Sequence, residues 1–225
     1  MSLINLISDL FSINSLQFWW YLTRAAGLMG YFLIWLSTAW GLVVSSKILD
    51  PIMERGFTYD FHEYLSWLGL AFIGIHVIVL MADKYLPYTI WQVLIPFLSP
   101  YRSLWVGIGV IAFYLSLLVT ITFYLKAKIG AETFRKIHYL SLVGYFGATL
   151  HGLYAGTDSV LPIANLLYKG TFLVTLFLVV YWLILLYFRK QEEEKIRLQK
   201  LKEKLRSNSS NKGKSRTTTV VKNSR

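Results

Sequence analysis

Residues 61–80 have the sequence FHEYLSWLGLAFIGIHVIVL, an apolar run in which Glu63 is the one charged residue. An α-helix needs about 20 residues of this kind to cross the hydrocarbon core of a bilayer. Lipid offers no partners to backbone N–H and C=O groups, so such a run is expected to be helical. The chain has five comparable runs, which predict an all-α membrane protein: a bundle of about five transmembrane helices at Phe18–Ser46, Phe61–Ala82, Leu104–Leu125, Phe134–Ala155 and Gly170–Phe188.

The composition excludes several other classes of protein. Of the 225 residues, 55% are hydrophobic and only 16% are charged, whereas a soluble domain carries about 25% charged residues. The absence of Cys excludes disulfides, Cys-ligated zinc, iron–sulfur clusters and covalently attached c-type haem. The net charge of +11 comes from 23 Lys and Arg against 12 Asp and Glu. Because these basic residues concentrate after the apolar body, they indicate membrane topology rather than nucleic-acid binding.

Composition also divides the chain into three segments. Residues 1–17 predict an interfacial amphipathic helix, and residues 18–188 form the predicted membrane domain. Residues 189–225 predict a basic cytoplasmic tail, which is helical at first and disordered from Ser207. The stretch Tyr88–Leu98 is apolar but too short to span, so we expect it at the membrane interface.

The positive charges between the predicted spans indicate an orientation. Basic residues crowd the tail, the first link and the third link, whereas the other loops have few. Since cytoplasmic loops carry an excess of Lys and Arg, we expect the N-terminus outside and the C-terminus in the cytoplasm. The basic residues in the two links are Lys47, Arg55, Lys126, Lys128, Arg135 and Lys136.

The four histidines of the chain all lie in two predicted spans, His62 and His76 in the second, His138 and His151 in the fourth. Ionisable residues inside membranes are costly and usually functional. Fourteen residues advance a helix by about 21 Å and return to within about 40° of the same face, and 13 residues advance it by about 19.5 Å. The two spans run parallel, so His62 can lie level with His138 near the cytoplasmic side. His76 can lie level with His151 near the outer side.

Two facing imidazoles at each of two depths favour two haem b groups, because bis-histidine iron suits electron transfer. A 13-residue separation leaves His138 and His151 about 140° apart around a straight helix. We therefore expect either a helix distortion, for which Gly144 and Gly147 are candidates, or a difference in rotation between the haems. Small residues near the ligands are expected to leave room for the porphyrins: Gly69, Gly74, Gly144, Gly147, Ala148 and Gly152.

Four basic residues are candidates for contacts with haem propionates, because Arg and Lys form charge-assisted hydrogen bonds with carboxylates. Arg24, inside the first span, and Arg102 lie toward the outer side. Arg135 and Lys136 directly precede His138 on the inner side. The alternatives are snorkelling of Arg24 to the outer headgroups and ordinary positive-inside anchoring of Arg135 and Lys136.

The same residues leave other functions open. A non-redox membrane protein with structural histidines is one alternative, either a structural subunit or a transporter of protons or metal ions. A transporter would favour carboxylates within the spans, where Glu63 is the one clear candidate and lies near a boundary. A non-haem metal site would need clustered ligands, not ligands separated by about 20 Å.

The histidine spacing and its surroundings resemble the ferric reductase-like transmembrane domain, a family that includes ferric reductases and NADPH oxidases. The similarity covers about residues 18–188. It is carried by FHEYLSWLGLAFIGIHVIVL and FRKIHYLSLVGYFGATLHGLYAGTDS, with support from PFLSPYRSLWVGIGVIAFY and WWYLTRAAGLMGYFLIWLS. The resemblance implies an inner haem b between His62 and His138, an outer haem b between His76 and His151, and electron transfer from the cytoplasmic side outward.

The chain departs from the full-length members of that family. No glycine-rich dinucleotide fingerprint follows a strand, so we expect no flavin or NAD(P)H site in this chain. A separate donor, a flavoprotein reductase or a quinol, and an acceptor on the outer side are then implied. The sequence leaves open whether the chain is an oxidoreductase of the ferric reductase type or an electron-transfer subunit of a larger redox system.

Overall fold

The computed structural model describes residues 15–83 and 87–222, and all regular secondary structure within them is helical. The all-α prediction is therefore confirmed for this part of the chain. The predicted interfacial helix at residues 1–17 lies almost wholly outside the described residues. The helices are α1 (Ser15–Ser46), α2 (Arg55–Ala82), α3 (Ile90–Leu94), α4 (Ser103–Tyr124), α5 (Lys126–Ile129), α6 (Ala131–His138), α7 (Leu140–Tyr154) and α8 (Pro162–Lys222), with a 3₁₀ turn at Thr157–Val160.

Four of these helices are long and apolar enough to cross a membrane, so the chain is an integral membrane protein. They contain the first, second and fifth predicted spans and all of the third except Leu125. Large apolar side chains on their outer faces are exposed, as expected where lipid replaces water; Ile78 and Leu173, for example, are 63% and 61% exposed. The four segments are Phe18–Ser46, Gly56–Ala82, Ser103–Tyr124 and Pro162–Leu205.

The fourth predicted span is divided between α6, with 8 residues, and α7, with 15. Each is shorter than the roughly 20 residues of a spanning helix. The break lies at Tyr139, whose φ of −63° and ψ of −19° remain right-handed. The N–H of Leu142 donates to the carbonyl of Tyr139 at 3.2 Å, three residues back, which tightens the chain into a 3₁₀ turn.

The distortion expected near Gly144 or Gly147 thus lies at Tyr139 instead, directly after His138. Both glycines are inside α7, where they allow close approach to α4. A Cβ atom at Gly144 would lie 3.4 Å from the carbonyl oxygen of Ala112, and one at Gly147 would lie 3.2 Å from the Ala112 Cβ. Small residues commonly mark such close helix contacts in membranes.

Two predictions for the segments outside the spans have different outcomes. The stretch Tyr88–Leu98 contains only the five-residue helix α3, which starts with a capping box between Thr89 and Gln92, so it is confirmed as too short to span. The tail differs from the expectation of disorder from Ser207, because α8 continues to Lys222. No proline interrupts residues 189–222, so no residue there removes a backbone hydrogen-bond donor.

The chain divides into two compact units, Met1–Leu178 and Val179–Arg225, and the histidines lie in the first. Its centre contains a hydroxyl cluster formed by Tyr31 of α1, Tyr145 and Thr149 of α7, and Thr171 of α8. The Tyr31 hydroxyl lies 2.5 Å from Thr171 Oγ1, 3.3 Å from Thr149 Oγ1 and 3.4 Å from the Tyr145 hydroxyl. Tyr145 is fully buried. The cluster joins three helices at one level of the bundle.

The hydroxyl cluster predicts that Tyr31→Phe destabilises the protein by about 1–3 kcal/mol, because it leaves the buried Tyr145 hydroxyl without the Tyr31 hydroxyl as its partner. The change is measured as the shift of the thermal unfolding midpoint in detergent. Tyr21→Phe is the matched control, since Tyr21 is 60% exposed. Equal midpoints for the two variants would show that the cluster does not stabilise the bundle.

Candidate functional site

The structure brings the rings of His62 of α2 and His138, the last residue of α6, next to each other in an edge-to-face arrangement. Their ring centroids are 5.9 Å apart, with an angle of 71° between the ring planes. Two imidazoles on opposite sides of one metal ion would have centroids about 6 Å apart, because a histidine nitrogen binds a metal such as zinc at about 2 Å. The separation of this inner pair therefore suits two axial ligands of one ion.

The two histidines of the inner pair differ in their hydrogen bonds. His62 Nδ1 lies 3.2 Å from the hydroxyl oxygen of Ser37. That oxygen lies 2.8 Å from the hydroxyl of Ser66, which donates to the carbonyl of His62 at 2.9 Å. His138 Nδ1 is buried and has no hydrogen-bond partner, while the ring of Phe134 lies 5.2 Å from the His138 ring.

His76 of α2 and His151 of α7 are the two histidines predicted to form the outer pair. His76 Nδ1 lies 2.8 Å from the carbonyl oxygen of Thr23, and His151 Nδ1 lies 3.0 Å from that of Trp105. A carbonyl only accepts, so each Nδ1 carries the proton and each Nε2 carries a lone pair. Histidine ligands of metals have this arrangement, in which the second nitrogen fixes the tautomer.

Three of the histidines pack against glycines on neighbouring helices. A Cβ atom at Gly27 of α1 would lie 2.9 Å from His76 Nδ1, and one at Gly41 of α1 would lie 3.1 Å from His62 Cε1. A Cβ atom at Gly109 of α4 would lie 2.5 Å from His151 Nδ1. Sequence reasoning missed these glycines. The sequence does contain a pattern that could have indicated them. Gly27 and Gly41 are 14 residues apart on the first span, as His62 and His76 are on the second.

The small residues that the sequence singled out have other surroundings. Gly69 approaches Ile34, and a Cβ atom at Gly152 would meet the Tyr168 ring at 2.4 Å. Ala148 packs against the central cluster of Tyr31 and Tyr145. Gly74 differs from these, because nothing lies within 4 Å of a Cβ built there.

On the outer side, the structure gives protein partners to the two candidate arginines. Arg24 forms an ion pair with Asp158 in the 3₁₀ turn, and its guanidinium lies 3.9 Å from the centroid of the Trp20 ring. Arg102 donates to the carbonyl of Tyr154 at 2.5 Å. Sequence reasoning missed Asp158 as the partner of Arg24, because this contact depends on how α7 ends. Contacts of these arginines with propionates remain a prediction.

The inner-side candidates, Arg135 and Lys136, are both exposed on α6. Lys136 pairs with Glu132 one turn earlier, with a nitrogen–oxygen distance of 2.8 Å. Such an exposed pair contributes little to stability, so the Lys136 ammonium stays free to exchange partners.

The four histidines are arranged as two separate pairs. Among the described residues, no three His, Cys, Asp or Glu side chains come together as a group that could hold a metal ion. A haem needs only two axial ligands from the protein, because its macrocycle supplies the others. Comparison of the chain with protein-family models, curated proteins and solved structures finds no match.

The glycine contacts predict that Gly109→Ala lowers the thermal unfolding midpoint, with a cost of about 1–3 kcal/mol, because the added methyl group displaces the His151 ring. Gly74→Ala is the matched control in another span, where the methyl group meets open space. A Gly109→Ala midpoint equal to that of Gly74→Ala would contradict the close contact with His151.

The Arg24–Asp158 ion pair predicts a second effect on stability. Asp158→Asn leaves a largely buried guanidinium without its counter-charge, which costs about 3–5 kcal/mol for a buried pair. The double variant Arg24→Gln, Asp158→Asn removes both charges and is expected to be more stable than Asp158→Asn alone. Unfolding midpoints of the single and double variants measure this, and additive losses would show that the two residues do not interact.

Proposed function

We propose that this chain is a transmembrane cytochrome b with an inner haem b between His62 and His138 and an outer haem b between His76 and His151. The observation that carries the proposal is the 5.9 Å separation of the His62 and His138 rings. A second predicted pair strengthens it, with one histidine again on α2 and the other on α7, because a single pair of membrane histidines has simpler structural explanations.

The surroundings of the histidines fit such a group. The Nδ1 atoms of His76 and His151 are bonded to carbonyl oxygens, so each Nε2 is free to coordinate. Gly27 and Gly109 bring neighbouring helices up to the same two rings, and this packing restricts their orientation. The unpartnered Nδ1 of His138 is costly in a dry bundle, and coordination through Nε2 would give that imidazole a role that accounts for its burial.

Bound haem b would supply a one-electron carrier at each level. The chain's own part is to hold and insulate the two levels. The histidines bind, the carbonyls of Thr23 and Trp105 orient two of the rings, and the apolar helices exclude water. Pairs at two depths on parallel helices suit the transfer of electrons between the two sides of a membrane.

The resemblance to the ferric reductase-like transmembrane domain is part of this proposal, as are five spans with α6 and α7 together forming the fourth. In the proposed orientation, the N-terminus is outside, the C-terminus is in the cytoplasm, and the membrane is a bacterial plasma membrane. Electrons would pass from a cytoplasmic flavoprotein or a quinol to an outer-side acceptor. The chain would act as the membrane subunit of a redox system.

One contact weakens the transporter alternative. Glu63, the carboxylate that a proton or metal pathway would use, accepts a hydrogen bond from the hydroxyl of Tyr124. The same hydroxyl lies 2.7 Å from the indole nitrogen of Trp67. Both hydrogen bonds are exposed, so the Glu63 carboxylate is bonded to α4 at the surface of the bundle although Glu63 directly follows His62 in the chain.

The proposal predicts a reduced-minus-oxidised spectrum with b-type bands and about two haems per chain. Replacing either member of one pair should remove the same haem, so His62→Ala and His138→Ala should give one spectrum and His76→Ala and His151→Ala another. His138→Met serves as a further variant, because Met can replace His as an axial ligand of haem iron. It should keep the inner haem with altered bands.

Unfolding midpoints of the same preparations separate haem loss from misfolding. A wild-type chain that folds with haem supplied yet shows no b-type bands would overturn the proposal. Distinct spectra for His62→Ala and His138→Ala, with one haem retained in each, would overturn the pairing.

A further inference from the structure

His62 is held by a closed circuit of hydrogen bonds, and the direction of each bond can be deduced. The Ser66 hydroxyl donates to the carbonyl of His62 at 2.9 Å, and this uses its single proton. The Ser37 hydroxyl, 2.8 Å from that of Ser66, must therefore donate to Ser66. The remaining contact, 3.2 Å from Ser37 to His62 Nδ1, then has the imidazole as donor.

The circuit thus runs from His62 Nδ1–H to Ser37, from Ser37 to Ser66, and from Ser66 back to the His62 carbonyl. Ser37 is buried, with 5% of its surface exposed, so water does not readily replace it. The circuit fixes the His62 tautomer with the proton on Nδ1 and the lone pair on Nε2.

The other three histidines have no comparable network of side-chain hydrogen bonds among the described residues. His76 and His151 donate to backbone carbonyls, which no side-chain replacement can remove. His138 Nδ1 has no hydrogen-bond partner. His62 has a hydrogen bond to the Ser37 backbone as well as the contact with the Ser37 hydroxyl. Within the described residues, His62 is therefore the one histidine with a side-chain hydroxyl as a partner of its Nδ1.

We propose that Ser37 and Ser66 are positioning residues for the inner site. Ser37 accepts the Nδ1 proton of His62, and Ser66 turns the Ser37 hydroxyl so that it can accept. The consequence for cofactor binding rests on the proposed function, whereas the tautomer assignment does not.

The consequence follows from the basicity of the ligand. Donation from the second ring nitrogen orients an imidazole and raises its basicity, and loss of such a partner typically costs about 10–100-fold in metal affinity or activity. Ser37→Ala should therefore weaken the inner haem by about 10–100-fold. A less basic imidazole favours reduced over oxidised iron, so the midpoint potential of the inner haem should rise. The outer haem should not change.

The test uses the full chain in four variants. Ser37→Ala removes the acceptor, and Ser37→Thr retains a hydroxyl oxygen there. Ser66→Ala removes the second member of the circuit. Ser116→Ala is the matched control, because Ser116 donates to a carbonyl four residues back in its own helix, as Ser66 does, without touching a histidine.

The first readout is ¹⁵N NMR of histidine-labelled chain prepared without haem. Wild type, Ser37→Thr and Ser116→Ala should show His62 as the Nδ1–H tautomer. Ser37→Ala should show a mixture, and Ser66→Ala a smaller change, because Ser37 remains. An Nε2–H tautomer in wild type, or an unchanged tautomer in Ser37→Ala, would overturn the inference.

The second readout is haem content with a spectroelectrochemical titration of the haem-loaded variants. Selective weakening and an upward shift of the inner haem in Ser37→Ala, with Ser37→Thr and Ser116→Ala close to wild type, would support the positioning role. Equal inner-haem affinity and potential in all variants would overturn it while leaving the cytochrome proposal intact. Absence of haem from wild type would instead remove the proposed function, and the NMR result would still decide the tautomer.

Discussion

The antiparallel register of α1 against α2 is the constraint on which the histidine levels depend. In the four glycine contacts between these helices, each move along α1 in residue number is matched by an equal decrease in residue number along α2. The first and last of the four contacts place Gly27 and Gly41 beside histidines. Sliding one helix by a single turn, about 5.4 Å, would bring larger side chains against both imidazoles at once. The glycine contacts at His62 and at His76 therefore both restrict the register of α1 against α2. A shift of one helix would disturb the inner and the outer histidine together. The four contacts are Gly27 with His76, Gly30 with Ile73, Ile34 with Gly69, and Gly41 with His62.

A second constraint is that polar groups inside the bundle must find protein partners, since lipid supplies none. The hydroxyl cluster around Tyr31 supplies such partners between α1, α7 and α8. At three of the imidazoles, the partners of Nδ1 are the Ser37 hydroxyl and two backbone carbonyls. Among the imidazoles His138 is the exception, because its Nδ1 stays unbonded; within the described residues the buried Trp35 Nε1 and Thr175 Oγ1 also have no hydrogen-bond partner. The inner level is thus more sensitive to substitution than the outer level. Its His62 is bonded to a side chain, which a substitution can remove, and its His138 has an Nδ1 without a partner.

The sequence predicted what depends on local composition, and it could not predict what depends on contacts between helices. Apolar runs of sufficient length are visible in any window of the chain, so four spanning helices follow directly from it. Helix arithmetic also places the four histidines at two levels. Whether Ser37 meets His62, or Arg24 meets Asp158, depends on register and on how loops close, and these arise from packing of residues far apart in the chain. The tail differs for a related reason, because polar composition argues against a packed core but does not forbid a helix.

The break at Tyr139 reduces the angle between the directions in which His138 and His151 leave the chain. In a straight α-helix the two side chains would point about 140° apart, because 13 residues fall short of a whole number of turns by that angle. A 3₁₀ turn has three residues per turn, about 20° more rotation per residue than an α-helix, so each tightened residue reduces the shortfall. The break follows His138 directly and leaves α7 regular through His151. Part of the angular difference is therefore removed directly after the inner histidine, while the outer histidine keeps its contact with Gly109. The same break removes regular helix next to His138, and this is the one histidine whose Nδ1 has no partner. At the inner level the two imidazoles therefore lie next to each other, but His138 is held by fewer hydrogen bonds than the other histidines.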